Sequence, residues 1–128
     1  MREGLQNTTI KNLYETGCYF LCICKIAEEI TSKNVDIINT ALYAQDKAWV
    51  DEDFTVNNPE ALLSYLTGKK VKVTKSETLP NGTKYYVEKW YNPKTGYCHF
   101  RLPKWDSLKD SVTVKNGSIE SYRLLDIK

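Results

Sequence analysis

Two periodicities divide the chain: apolar residues recur at helical spacing through the first half, and from Val71 onward they alternate. Cys18 to Thr31 (CYFLCICKIAEEIT) is apolar on nearly every side for two turns, before Lys25, Glu28 and Glu29 restore a wet face. A helix apolar all round is a buried one, so this segment is expected to be the central helix. A second helix is expected from about Val35 to Lys47, with Asn34 as N-cap and Asp36 complementing the dipole. Its inward face would carry Val35, Ile38, Ala41, Leu42 and Gln45. The third has the clearest punctuation: Asn58 caps, Pro59 takes the first helical position, Leu62, Leu63 and Leu66 face inward, and Gly68 ends it. An acidic, aromatic loop, Trp49-Val50-Asp51-Glu52-Asp53-Phe54, lies between these two helices.

The second half reads as strands. Lys70 to Lys75 and Lys84 to Trp90 alternate, with a turn signal at Pro80-Asn81-Gly82. Asn92-Pro93-Lys94-Thr95-Gly96 turns the chain into a strand around His99. A last hairpin is expected from Ser111–Val114 through Lys115-Asn116-Gly117 to Ser118–Tyr122. Helices followed by strands predict an α+β fold, with N-terminal helices packed on a C-terminal antiparallel sheet. No repeat or linker interrupts the 128 residues, which predicts a single domain.

Composition narrows the function classes. A net charge of +2 with both signs interspersed lacks the basic stripe of a nucleic-acid binder. Lys69, Lys70, Lys72, Lys75, Lys84, Lys89 and Lys94 read as a solvated sheet face, diluted by Glu77 and Glu88. No run approaches the roughly 20 apolar residues of a membrane span, and Met1–Gln6 lacks the apolar core of a signal peptide. The expectation is a cytoplasmic protein whose four cysteines are thiols and whose sequons at Asn7, Asn81 and Asn116 carry no glycan.

The sharpest chemical signal is a pair of distant residues. Gly17 permits a sharp turn, and Cys18 then opens the apolar helix, where unpaired N–H groups and the dipole favour a thiolate. Cys22 and Cys24 lie deeper and are expected to be inert. His99 is the lone histidine. Alternation puts Cys98, Phe100 and Leu102 on one side of its strand, read as core, and Tyr97, His99 and Arg101 on the other, read as groove lining. A helix-borne thiol and a strand-borne imidazole are the parts of a nucleophile–base couple. The competing reading makes Cys18 a packed core cysteine and His99 a structural histidine.

Other chemistries fare worse. Cys18 and Cys22 share a helix face, but Cys98 and His99 point apart and no Cys-x-x-Cys turn is present, so no metal is expected. Glycine-rich phosphate loops are missing. Asp51-Glu52-Asp53 reads as a capping or solvated loop. Trp49, Trp90, Tyr91 and Trp105 either pack the sheet or form a contact patch.

With Gly17-Cys18 opening a buried helix and His99 on a later strand, the layout resembles the papain-like cysteine peptidase superfamily, in the style of its small bacterial and phage members. These include bacteriocin-processing peptidases and cell-wall amidases. The stretch Trp49 to Pro59 and His99-Phe100 also look similar to a small phage-borne group with this fold. The resemblance implies catalysis by Cys18, His99 and Asp106 without a cofactor, on a peptide, isopeptide or peptidoglycan amide. Asp110 is the second choice for orienting the imidazole. In the family an amide side chain ahead of the nucleophile lines the oxyanion hole; Asn12, six residues before Cys18, takes that place, and Gln6 is less well spaced. The chain departs from the pattern in using Asn for Gln and in having Ser107 where Pro is common. Those departures keep a second expectation open: an inactive papain-fold phage or mobile-element protein that binds and blocks a host protein.

Overall fold

The computed structural model describes residues 18–52, 54–96, 98–102 and 117–127. Its contacts divide the chain into two compact units, meeting in sequence at Lys70 and Val71.

The first unit is helical. Helix α1 spans Cys18–Thr31 and buries Phe20, Cys22, Ile23, Cys24, Ile26 and Ala27, as its all-round apolar start requires. Ser32 ends it in a left-handed conformation at φ 57°. Helix α2 spans Ile37–Asp46, and its cap corrects the expectation: Asp36, not Asn34, accepts from the Asn39 backbone N–H at 3.1 Å. Both residue types cap well, but only Asp36 immediately precedes the first helical residue, where its carboxylate also faces the positive dipole end.

Helix α3 spans Pro59–Thr67, with the Asn58 side chain accepting from Ala61 N–H at 3.0 Å and Gly68 left-handed at φ 69°. Leu62 and Leu63 are fully buried, and α3 packs against α1. The acidic loop is tied rather than loose. Val50 bridges Val56, Trp49 O accepts from Asn57 N–H and Asn58 N–H, and Gln45 Nε2 donates to Glu52 O at 3.2 Å. Phe54 leaves this loop at φ 66° to bury itself completely, 5.5 Å from the Phe20 ring centroid.

The second unit is an antiparallel sheet of β1 (Val71–Ser76), β2 (Tyr85–Tyr91), β3 (Cys98–Arg101) and β4 (Ser118–Ile127), in the order β1-β4-β2-β3. The turn at Pro80-Asn81-Gly82 therefore does not make β1 and β2 neighbours, because β4 inserts between them. At ten residues β4 is long enough to pair with β1 at one end and with β2 along most of its length. A register shift after Lys89 sets Trp90 opposite Ile119 and leaves Glu120 as an extra residue, a β-bulge. Lys72 and Lys75 mark the edge strand β1, where charge discourages pairing with another chain. Of the expected last hairpin, β4 contains the second arm; Ser111–Val114 lies outside the described residues.

The fold is thus α+β, with three helices and a four-stranded antiparallel sheet among the described residues. No helix among them is long and apolar enough to cross a membrane.

Candidate functional site

The two parts of the expected couple belong to different units, Cys18 to the helical one and His99 to the sheet. Cys18 is the first residue of α1 and is half-buried. One turn further in, Cys22 is 1% exposed, and Cys24 is fully buried. Desolvation, with the Glu28 carboxylate adding to it, pushes the Cys24 thiol up to about 12. Such a thiol stays protonated and inert, as expected for the deeper positions. The helix thus grades its thiols: one at its head reaches solvent, and two are sealed.

Along β3 the expectation about sides fails for Cys98 and His99, while Leu102, read as core on the Cys98 side, is 4% exposed as expected. Cys98, read as core, is exposed, whereas His99 is 4% exposed. The register explains the reversal. Cys98 opposes Tyr91, itself 39% exposed, at the outer end of the β2–β3 pair, while His99 opposes Trp90 one step inward. Period two says which residues share a side of a strand; it does not say how exposure changes along it. The Cys98 side, exposed at its end, is buried at Leu102, at Val87 on β2 and at Ser121 on β4. His99 therefore lines no open groove.

Residues directly opposed across an antiparallel pair share a side. The His99 side consequently also holds Trp90, Arg101, Glu88 and Tyr122, from the pairs His99–Trp90, Arg101–Glu88 and Glu88–Tyr122, and Tyr86, two residues before Glu88 on β2. Trp90 Nε1 donates to Glu88 Oε1 at 3.1 Å. The Tyr86 and Tyr122 rings meet edge to face at 6.0 Å. Burial raises the Tyr86 hydroxyl pKa above its ordinary value, and the Glu88 carboxylate adds to the rise. The imidazole thus sits on an aromatic, ionisable side of the sheet that includes one carboxylate on the neighbouring strand. Sequence reasoning missed Glu88. Its alternation with Trp90 was visible, but the register that brings β2 beside β3 was not.

Asn12, Gln6, Asp106, Asp110 and Trp105 lie outside the described residues. Among those described, no three His, Cys, Asp or Glu side chains gather as metal ligands would. Of the expected aromatic patch, Trp49 and Trp90 are half-buried and Tyr91 is exposed. A second aromatic group was not foreseen. Tyr43 and Tyr65 stack at 4.6 Å, 38% and 51% exposed, with Trp49 at 5.7 Å from both. Tyr43 and Tyr65 come from successive helices, a pairing that only their packing reveals.

No curated protein and no solved structure matches the chain. One family, described as a protein of unknown function, DUF261, matches residues 2–127, and the chain belongs to it.

Proposed function

We propose that this protein is a papain-like cysteine hydrolase that cleaves an amide bond in a peptide, isopeptide or peptidoglycan substrate. The observation that carries the reading is the grading of thiols along α1: Cys18 at the helix head is half-buried, while Cys22 and Cys24 are buried. A thiol in that position gains from the positive end of the helix dipole, which favours its anion.

In this reading the Cys18 thiolate attacks the carbonyl carbon, forming a C–S bond and an oxyanion. The Cys18 backbone N–H and the Asn12 side-chain amide steady that oxyanion, and losing one such donor costs about a hundred- to a thousandfold in rate. As the C–N bond breaks, His99 gives its proton to the leaving amine. Water then enters, His99 takes one of its protons, and the C–S bond breaks to release the acid and restore the thiolate. Asp106, or Asp110 in its place, orients the imidazole.

The test is alkylation with iodoacetamide at pH 6, followed by peptide mass mapping. A Cys98→Ser background removes the other thiol on the surface. Cys18 is expected to react well ahead of glutathione; a rate equal to that of glutathione defeats the proposal.

The exposed stack of Tyr43 and Tyr65 favours a second reading, in which the fold binds and blocks a host protein without catalysis, because aromatic side chains dominate interface hot spots. Biological activity that survives Cys18→Ala selects this reading over the first.

A further inference from the structure

Among the described residues, the side of the sheet opposite His99 carries more positive charge than its acids balance. Lys75 opposes Arg123 across β1 and β4, and Lys89 opposes both Ser121 on β4 and Phe100 on β3. These five residues therefore share one side of the sheet and sit in adjacent rows. Like charges directly opposed in a sheet repel, so the Lys75–Arg123 register works against folding.

The remaining contacts hold the cations together. Arg123 Nη1 donates to Ser121 Oγ at 2.9 Å and to Tyr122 O at 3.4 Å. Its guanidinium lies 5.5 Å from the Phe100 ring centroid, and Lys89 Nζ lies 5.8 Å from the same centroid. One ring thus serves two cations. Among the described residues, the carboxylate ion-paired in this patch is Glu120, 3.4 Å from Lys89 Nζ, and Arg123 meets none. Ser121 is buried, so the group that fixes the guanidinium is itself fixed. Those two bonds use Nη1 alone, which leaves the rest of the five-donor fork for a ligand. Arg123 and Lys89 are half-buried and Lys75 is exposed, so all three are within reach of solvent.

We propose that this side of the sheet is a binding site for a phosphate group. Among the described residues, three cations against one acid leave about two charges over, which suits a dianion better than a carboxylate. The Arg123 fork would grip two phosphate oxygens, with Lys89 and Lys75 as flanking point charges. Glu120 competes with the phosphate for Lys89. The proposal is independent of Cys18 and His99, so either can fail without the other.

The experiment titrates the full chain with inorganic phosphate above its second ionisation, followed by amide chemical shifts, with chloride at equal ionic strength as control. Saturable shifts are expected at Lys75, Lys89, Ser121 and Arg123 with phosphate and not with chloride. Arg123→Gln should weaken binding about tenfold, the loss of one charge-assisted contact, and Glu120→Gln should strengthen it severalfold. If Arg123→Gln fails to fold by thermal melting, the exposed Lys75→Gln carries the test, with a severalfold weakening expected. Sedimentation with vesicles of phosphatidylcholine, with and without phosphatidic acid, separates the sources. Pelleting with phosphatidic acid that Arg123→Gln abolishes assigns the phosphate to a lipid headgroup, and phosphate binding without pelleting assigns it to a soluble ligand. Shifts that chloride reproduces, or affinity unchanged in the variant that folds, overturn the site.

Discussion

Ala48 shows how a helix can end without the residue best suited to end it. Its φ of 60° is left-handed, its N–H donates to Gln45 O at 3.0 Å, and Trp49 N–H donates to Ala44 O at 2.9 Å. An L side chain in this conformation costs roughly 1–2 kcal/mol, which glycine avoids. Ala48→Gly is therefore expected to raise stability by up to about 1 kcal/mol, read as a higher urea midpoint at unchanged slope. The converse holds at Gly68, φ 69°, where an added Cβ would meet nothing within 4 Å. Gly68→Ala should cost about 1 kcal/mol through the backbone alone. Cys24 gives a second residue-level outcome, in alkali. Its thiol pKa rises from an ordinary 9.0 to about 12 in the folded protein, so above pH 9 the unfolded chain releases a proton that the folded one keeps. Stability from this group is whole below pH 9 and falls as pH climbs toward 12, by about 1.4 kcal/mol per pH unit. Urea midpoints measured across that window should fall more steeply for the natural protein than for Cys24→Ala.

Elements were legible where local chemistry decides them and obscure where partners do. The bounds of α1 follow from its apolar run, and those of α3 from Asn58, Pro59 and Gly68, all signals carried within a few residues. The cap of α2 was misread because Asn34 and Asp36 are both good caps and the helix starts two residues later than its apolar face suggests. Phe54 was invisible as core: it sits among acids, at a positive φ that favours glycine, and only the docking of its ring on Phe20 explains it. That contact predicts that Phe54→Ala costs about 3–5 kcal/mol, because the loop's tight bonding limits its collapse into the void. Thermal or urea unfolding of the variant measures it, and a loss below 1 kcal/mol would mean that the ring does not hold the loop. In the sheet, alternation located the strands but not their order. The β1–β4 and β2–β4 pairs span long stretches of chain, and no local signal encodes them.

At the scale of the whole chain, the hydrolase reading makes one demand that no single element can meet: the thiol of α1 and the imidazole of β3 must act as a couple. The sequence marked both partners, Cys18 by the onset of an apolar helix and His99 by being the lone histidine. It could not tell that His99 is covered, nor that Glu88 shares its side of the sheet. Burial sharpens the demand, since a covered imidazolium is costly without an anion beside it. If Cys18 supplies that anion, each group holds the other in its charged form. The rate of Cys18 alkylation against pH then has a midpoint that depends on His99 and lies below that of an ordinary thiol. Replacing His99 with Gln, which keeps hydrogen-bonding capacity but has no such charge to give, should move the midpoint up by more than about one pH unit, equivalent to about 1.4 kcal/mol. A thermal melt of the variant separates a lost partner from a lost fold. A midpoint that stays in place while the variant remains folded would show that Cys18 owes its reactivity to the helix alone, and the proposed couple would not exist.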